Sequence, residues 1–366
     1  MLTKFKVNRF RGFNKMIEWD LSHPSNYEYN TNAVKDGIIK NGIVFGPNGS
    51  GKSNFSMAIF DIINHLTQKY KQSDYYDNFV NAETPDQLVD FEYSFRFGDT
   101  ELEYCYSKIK DGRLVKERLI VNGKPIIEKQ NTSLFIDTES FPMNDETRNS
   151  LAMNANSVSV LYYLSSIYPL EANHYLIKLR DFVDGMLWFV NLDKRRFMGL
   201  ESSVYNLDEF IIKQKLVGDF EIFLNEISGQ NYRFLPPQKD DRTLMCSFGK
   251  YAVPFFDIAS TGTRSLQLLF FWLQRLNKAT FVFIDEFDAF YHFDLSKNVC
   301  KRLFKLDCQV FTSSHNTSLM TNDLLRPDCC FILDNNQIKP FYKCTNKELR
   351  FAHNLEKLYR GGALEV

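Results

Sequence analysis

The chain has 366 residues, 44% hydrophobic and 15% aromatic, which suits one large domain or two modest ones and excludes wholesale disorder. A formal net charge of −1 leaves a nucleic-acid partner open, because a basic patch can sit on a neutral protein. Seven cysteines with no C-x-x-C spacing argue against a disulfide framework and a zinc site; together with a charged, alternating N-terminus and no apolar run of membrane length, they predict a soluble cytoplasmic protein.

In chain order, LTKFKVNRF alternates with the period of a half-buried strand. GIIKNGIVF (37–45) reads as a second strand, which runs into GPNGSGKS and then a helix, NFSMAIFDIINHL (54–66). From Val89 to about Ile136, short alternating runs separated by Gly98-Asp99, Asp111-Gly112 and Asn122-Gly123 predict an antiparallel meander. From Ser150 to about Asn231 the spacing turns helical, without sustained heptads, as in a lid or arm rather than a long coiled coil. Strand character returns at TLMCSFGKYAVPF (243–255). Helix 264–276, strand 280–284, helix 294–305, strand 309–312, a helix after 315, the strand CCFILD and a helical tail complete the pattern. Alternation of this kind predicts a largely parallel sheet covered on both faces. The expected division is an N-terminal lobe 1–149, a helical insert 150–242 and a C-terminal lobe 243–366.

GPNGSGKS (46–53) satisfies G-x-x-x-x-G-K-[ST], which average residue usage produces by chance in a chain this long on the order of once in a hundred. A strand precedes it and a helix follows, the context a phosphate-binding loop requires. Gly46, Gly49 and Gly51 permit a backbone whose N–H groups turn inward as an anion nest, with Pro47, Asn48, Ser50 and Asn54 completing the loop. In such a loop Lys52 reaches the β- and γ-phosphates of ATP and the Ser53 hydroxyl ligates Mg²⁺. FVFIDEFDAF (281–290) is an apolar strand ending in carboxylates: Asp285 suits the Mg²⁺ shell, and Glu286 suits a general base for the attacking water. Asp288 is either a supporting acid or dimer residue, or a helix cap. His315, just past the next strand in VFTSSHNTS, suits contact with the γ-phosphate or the attacking water; the plainer reading is a surface His at a helix start capped by Ser314. Lys194, Arg195 and Arg196 are the densest basic cluster, more often a solvated face than a phosphate-backbone or partner contact.

The order of these features, with the small-residue loop Ser260-Thr261-Gly262-Thr263 between the phosphate loop and the acidic strand, resembles the ABC-type ATPase superfamily. Within it the chain resembles the soluble branch of RecF, SMC, Rad50 and OLD-type proteins, whose signature loop is often S-S-G-T or L-S-G-G. The opening KFKVNRFRGF resembles that branch's first strand, which implies that Arg11 lies near the nucleotide. The phrases STGTRSLQLLFFWL, FIDEFDAFYH, FTSSHN and RFAHNLEKLYRGG further resemble bacterial abortive-infection and phage-defence ATPases, such as the ATPase subunits of the PARIS, Septu and AbiL systems. Departures from the branch are Tyr291-His292 where a D-loop Asp would fall, no hook cysteines, and no room after the last strand for a TOPRIM nuclease domain.

The resemblance implies an α/β fold of the ABC-type P-loop kind, with a mixed, largely parallel core sheet, an antiparallel meander and a helical insert. It also implies a homodimer or higher oligomer closing on two ATP molecules, in which Ser260, Gly262 and Thr263 of one copy meet the nucleotide of the other. Its expected role is an ATP-hydrolysing sensor or scaffold controlling a separate nuclease or toxin effector in phage defence. The alternatives are a DNA-clamping repair or chromosome-associated ATPase and, against the long insert and non-transporter signature, a transporter subunit.

Overall fold

The structure, a computed structural model, describes residues 1–67, 73–154, 159–190, 196–200 and 206–364. Two seven-stranded sheets organise them. The first is antiparallel throughout. Its strands are β1 (Leu2–Asn8), β2 (Ile17–Asp20), β6 (Val89–Phe97), β7 (Thr100–Lys108), β8 (Leu114–Val121), β9 (Lys124–Gln130) and β10 (Ser133–Ile136). They lie in the order β10-β9-β8-β7-β6-β1-β2, so the predicted meander is extended at one edge by the first two strands of the chain. Its two-residue periodicity is carried into space: Val89, Phe91, Tyr93 and Phe95 of β6 are buried on one face, while Asp90, Glu92 and Ser94 are partly exposed on the other.

The second sheet holds β5 (Asn41–Phe45), β11 (Met186–Val190), β12 (Arg196–Gly199), β15 (Phe281–Asp285), β16 (Gln309–Ser314), β17 (Cys330–Asp334) and β18 (Gln337–Pro340). In the order β12-β11-β15-β16-β5-β17-β18, the five inner strands are parallel and the two edge strands antiparallel. Every residue of β5, β15 and β16 is buried, as expected of parallel strands covered on both faces. Small ribbons pair β3 (Val34–Lys35) with β4 (Ile38–Ile39) and β13 (Met245–Phe248) with β14 (Tyr251–Pro254). The α/β architecture expected from the sequence is therefore the one observed.

Aromatic rings join the layers. Trp19 of β2 meets Phe55 of helix α1 (Lys52–Ile59) at 5.3 Å between ring centres, Phe311 of β16 at 4.6 Å and Phe331 of β17 at 5.6 Å. The buried Gln309 side chain adds a polar tie. Its Oε1 accepts from the Leu2 N–H at 2.7 Å, and its Nε2 donates to the Leu2 and Ile39 carbonyls. Behind α1, helix α2 (Asp61–Leu66) carries the fully buried Asp61, which accepts from Lys108 Nζ at 2.6 Å and from the Tyr75 and Tyr106 hydroxyls. That network pins the segment following the 46–53 loop to β7 of the antiparallel sheet.

The middle of the chain differs from its helical expectation. It does form α3 (Asp145–Asn154), α4 (Val160–Ile167), α5 (Tyr175–Asp184), α6 (Leu207–Lys213) and α7 (Val217–Ser228), but β11 and β12 also arise there. MLWFV is a continuous apolar run whose periodicity cannot separate a buried strand from a helix; its five residues pair in parallel beside β15. The 150–242 stretch is thus built into the core sheet rather than being purely a lid or arm.

In the last third, α8 (Phe255–Ile258), α9 (Thr261–Leu273), α10 (Phe293–Leu303) and α11 (Leu355–Arg360) are the helices. The helix expected after 315 is instead a single 3₁₀ turn, Thr317–Leu319, capped by Asn316. The tail is helical only over α11, because the buried Asn322 amide donates to the carbonyls of Arg350, Phe351 and His353 and holds that backbone irregular. Residues 37–45 divide at Lys40 into β4 and β5, and the helix read over 54–66 breaks at Phe60 into α1 and α2. Lys194 and Arg195 lie outside the described residues, and for Arg196 only the backbone, at the start of β12, is described. No described helix is long and apolar enough to cross a membrane.

Candidate functional site

Strand β5 ends at Phe45 and delivers the loop Gly46–Ser53, with α1 starting at Lys52. Two glycines are dictated by the packing. Gly51 has φ 94° and lies so close to Phe13 that an added Cβ would fall 2.6 Å from the ring. A Cβ on Gly46 would collide with the Leu333 carbonyl of β17 and sit 2.7 Å from Ser50 Oγ. Gly51 is also the N-cap of α1, so no side chain caps the helix, and its first N–H groups are left to a ligand or solvent. Pro47, Asn48, Gly49 and Ser53 are exposed along this rim, and the Ser50 hydroxyl is buried with no hydrogen-bond partner.

Lys52 is buried, and its ammonium donates to the carbonyls of Gly46 at 2.8 Å and Pro47 at 2.9 Å, with His315 Nδ1 at 3.1 Å. Burial pushes its pKa down, and the nearby Asp285 and Glu286 push it back up. The ammonium therefore sits where the loop, the acidic strand end and the histidine meet. His315 Nδ1 also lies 3.2 Å from the Gly46 carbonyl, and its Nε2 lies 3.5 Å from Glu286 Oε1. The Glu286 and His315 side chains are each 40% exposed, open to a substrate from the solvent side.

Asp285, the last residue of β15, is fully buried. Burial raises its carboxyl pKa, while the hydroxyls of Ser313 and Ser53 and the charge of Lys52 lower it. Its Oδ1 accepts from Ser313 Oγ at 2.5 Å. Its Oδ2 is buried without a hydrogen-bond partner, and the Ser53 hydroxyl lies near the carboxyl group. A bare carboxylate oxygen beside a serine hydroxyl, under an uncapped helix N-terminus, is an oxygen donor set of the kind Mg²⁺ with a phosphate takes up. The expected Mg²⁺ ligands, Ser53 and Asp285, thus fit the ion on the structure's own terms.

The structure brings Lys52, Ser53, Asp285, Glu286 and His315 together, and it adds Ser313, which the sequence reading did not single out, and a further contact for Ser314, read there only as a cap. Ser313 both donates to Asp285 and accepts from the Glu286 N–H at 2.8 Å. Ser314 Oγ donates to Asp288 Oδ2 at 2.6 Å, so Ser314 binds the acidic turn as well as the Asn316 N–H at 2.9 Å. The only sequence hint was polar Thr-Ser-Ser closing an otherwise apolar strand.

Arg11, expected from the resemblance to lie near the nucleotide, follows Phe10 in the segment that leads to Phe13. It sits in a left-handed turn (φ 50°), and its guanidinium donates to the Tyr75 carbonyl at 2.9 Å. Its neighbours make the close approach: Phe13 faces Gly51, and a Cβ on Gly12 would lie 3.3 Å from the Asn54 amide.

The small-residue loop forms the start of α9. Ser260 is the N-cap, its Oγ accepting from the Thr263 N–H at 3.1 Å and lying 2.9 Å from Thr263 Oγ1. Gly262 packs against the 290–291 turn, where a Cβ would fall 2.7 Å from the Phe290 carbonyl, and Ser265 donates to the Tyr291 hydroxyl at 2.8 Å. None of the hydrogen bonds described for Ser260, Thr263 and Ser265 reaches the 46–53 loop. The loop is anchored to the turn that follows the acidic pair, with Ser260 and Thr261 exposed.

A family profile described as "AAA domain, putative AbiEii toxin, Type IV TA system" matches residues 247–321, a span that holds the small-residue loop, the acidic strand and His315. No curated protein matches the chain. Similar solved structures include an SMC head domain from Thermotoga maritima (16% identity, 93% of this chain and 98% of that one covered, TM-score 0.45). An Smc head domain with an extended coiled coil, bound to the C-terminal domain of ScpA from Pyrococcus furiosus, matches at 14% identity, 92% and 95% coverage and TM-score 0.43. The recombination mediator protein RecF matches at 14% identity, 93% and 98% coverage and TM-score 0.41.

Proposed function

We propose that the chain is an ABC-type ATPase that binds ATP with Mg²⁺ at residues 46–53 and hydrolyses it. The observation that carries this reading is the convergence of Lys52, Asp285, Glu286 and His315 on the mouth of the loop, from three neighbouring parallel strands. The loop N–H groups and Lys52 bind the phosphates, Ser53 and Asp285 hold Mg²⁺, and Glu286 takes a proton from the attacking water beside His315. Bound Mg²⁺ supplies charge neutralisation on the phosphate oxygens.

The reading extends to a homodimer or larger assembly in the cytoplasm, in which Ser260, Gly262 and Thr263 of one copy complete the nucleotide site of another. ATP-driven closure then controls a separate nuclease or toxin in bacterial phage defence. This finer role is supported by the sequence resemblance and by the family profile over 247–321.

The test is phosphate release from ATP by the full chain with Mg²⁺. Lys52→Ala is expected to lose nucleotide binding, and Glu286→Gln to bind ATP while hydrolysing it slowly and accumulating a closed dimer by mass. Normal turnover in Glu286→Gln would refute the general-base assignment. Purification from the native operon tests the effector. Salt-sensitive, ATP-dependent binding of plain duplex DNA with no co-purifying protein would replace the effector role with a DNA clamp.

A further inference from the structure

We propose that Ser313 is a positioning residue for hydrolysis: its single hydroxyl sets the carboxylate of Asp285 and the backbone of Glu286 at the same time. The proposal rests on the ATPase reading and deepens it. A serine hydroxyl has one proton to donate and lone pairs to accept with. Here the proton goes to Asp285 Oδ1 at 2.5 Å, and the oxygen receives the Glu286 N–H at 2.8 Å, so both capacities are used on adjacent residues of the acidic turn. Ser313 is itself fully buried in β16, between β15 and β5, and has no solvent to bond instead.

Each bond has a consequence. Occupying Oδ1 fixes the carboxylate plane so that Oδ2, which has no hydrogen-bond partner, is the oxygen left for a cation. The bond from Glu286 holds a residue whose backbone is left-handed, φ 48°, a conformation unfavourable for a non-glycine residue that persists where its surroundings impose it. With that N–H tied down, the Glu286 side chain leaves the strand end toward His315, at 3.5 Å. Alanine at 313 removes both bonds, whereas threonine keeps the hydroxyl on a β-branched side chain suited to a strand.

The experiment compares the full chain with Ser313→Ala and Ser313→Thr. It measures hydrolysis against ATP and Mg²⁺ concentration, binding of a fluorescent ATP analogue, and thermal melting. In Ser313→Ala, kcat is expected to fall about 10- to 100-fold and the half-saturating Mg²⁺ concentration to rise, as for loss of an outer-shell ligand partner. Nucleotide affinity should stay within about threefold, because Ser313 touches neither Lys52 nor the loop glycines in any described hydrogen bond. Ser313→Thr should restore most of the rate, and Ser313→Ala should add little to Glu286→Gln, since both act at one step. A melting Ser313→Thr leaves the kcat-against-KM split of Ser313→Ala to decide. A folded Ser313→Ala with normal kcat and Mg²⁺ dependence overturns the proposal, as does a parallel loss of nucleotide affinity. A wild-type chain that releases no phosphate overturns the ATPase reading and this proposal with it.

Discussion

The sharpest consequence of the small-residue loop concerns Gly262. A Cβ there would stand 2.7 Å from the Phe290 carbonyl, while ordinary contact begins near 3.4 Å, so alanine must separate α9 from the 290–291 turn by about 3.4 − 2.7 = 0.7 Å. Overpacking of this size costs about 1–3 kcal/mol, and the better helix propensity of alanine returns at most about 1 kcal/mol. Gly262→Ala is therefore expected to fold, with stability lowered by no more than about 3 kcal/mol in a urea titration. The same displacement moves the Ser260–Thr263 cap relative to whatever it meets. If that is the nucleotide of a second copy, a shift approaching 1 Å lowers hydrolysis by about 10- to 100-fold at saturating ATP. Affinity for a fluorescent ATP analogue should stay within about twofold, since the loop shares no described hydrogen bond with residues 46–53. A stable Gly262→Ala protein with normal turnover would refute the reasoning, and so would a variant that loses ATP affinity and rate in parallel.

Two further outcomes concern the framework behind the site. Lys108→Met leaves Asp61 buried with only the Tyr75 and Tyr106 hydroxyls as described partners, and should cost about 3–5 kcal/mol in urea unfolding. Adding Asp61→Asn should recover part of that loss, and a cost below about 1 kcal/mol for the single change would show that the ion pair is not holding α2 to β7. His65 is partly buried, its ring stacked against Tyr104 and Tyr106, and this loss of water around the ring holds its pKa well below 6.5. The unfolded chain therefore binds a proton below about pH 6.5 that the folded chain does not, so stability falls as pH drops through that window. The His65 contribution approaches 1.4 kcal/mol per pH unit at the most, and His65→Gln should flatten the stability profile between about pH 6.5 and 5. An unchanged profile would sink the assignment.

What the sequence disclosed depended on how local the signal was. The loop 46–53, the pair Asp285-Glu286 and the Ser-His after the next strand are contiguous, and their strand and helix context is contiguous too, so pattern alone located them. β11 was not readable: a five-residue apolar run acquires its identity only by pairing with β15, nearly a hundred positions later. Asp61 and Lys108 lie 47 positions apart and look like surface charges until the antiparallel sheet brings them together. Arg11, which the resemblance put near the nucleotide, lies one residue before Gly12, and the contacts with the loop and the start of α1 are made by Phe13 and Gly12. A one-residue offset inside a left-handed turn is beyond what periodicity resolves.

Strand order explains why the missed residues are small and polar. β16 lies between β15, which carries the acids, and β5, which carries the loop; Ile284 is opposite Thr312, and Val44 and Phe45 are opposite Ser313 and Ser314. Its last residues must therefore face the acidic turn on one side and the loop on the other, inside a sheet covered on both faces. A large apolar side chain at 313 would occupy the space where the Asp285 carboxylate and Glu286 N–H converge, and would leave both unpaired. A charged one would add an ion where Asp285 is already fully buried. A hydroxyl fills the gap, satisfies one donor and one acceptor, and carries no charge. His315, one residue beyond the strand, escapes that constraint and is large enough to reach from the Gly46 carbonyl and Lys52 on one side toward Glu286 on the other. The sequence Ser-Ser-His thus follows from the geometry of a central strand whose end must bond both neighbours while leaving the mouth of the loop open.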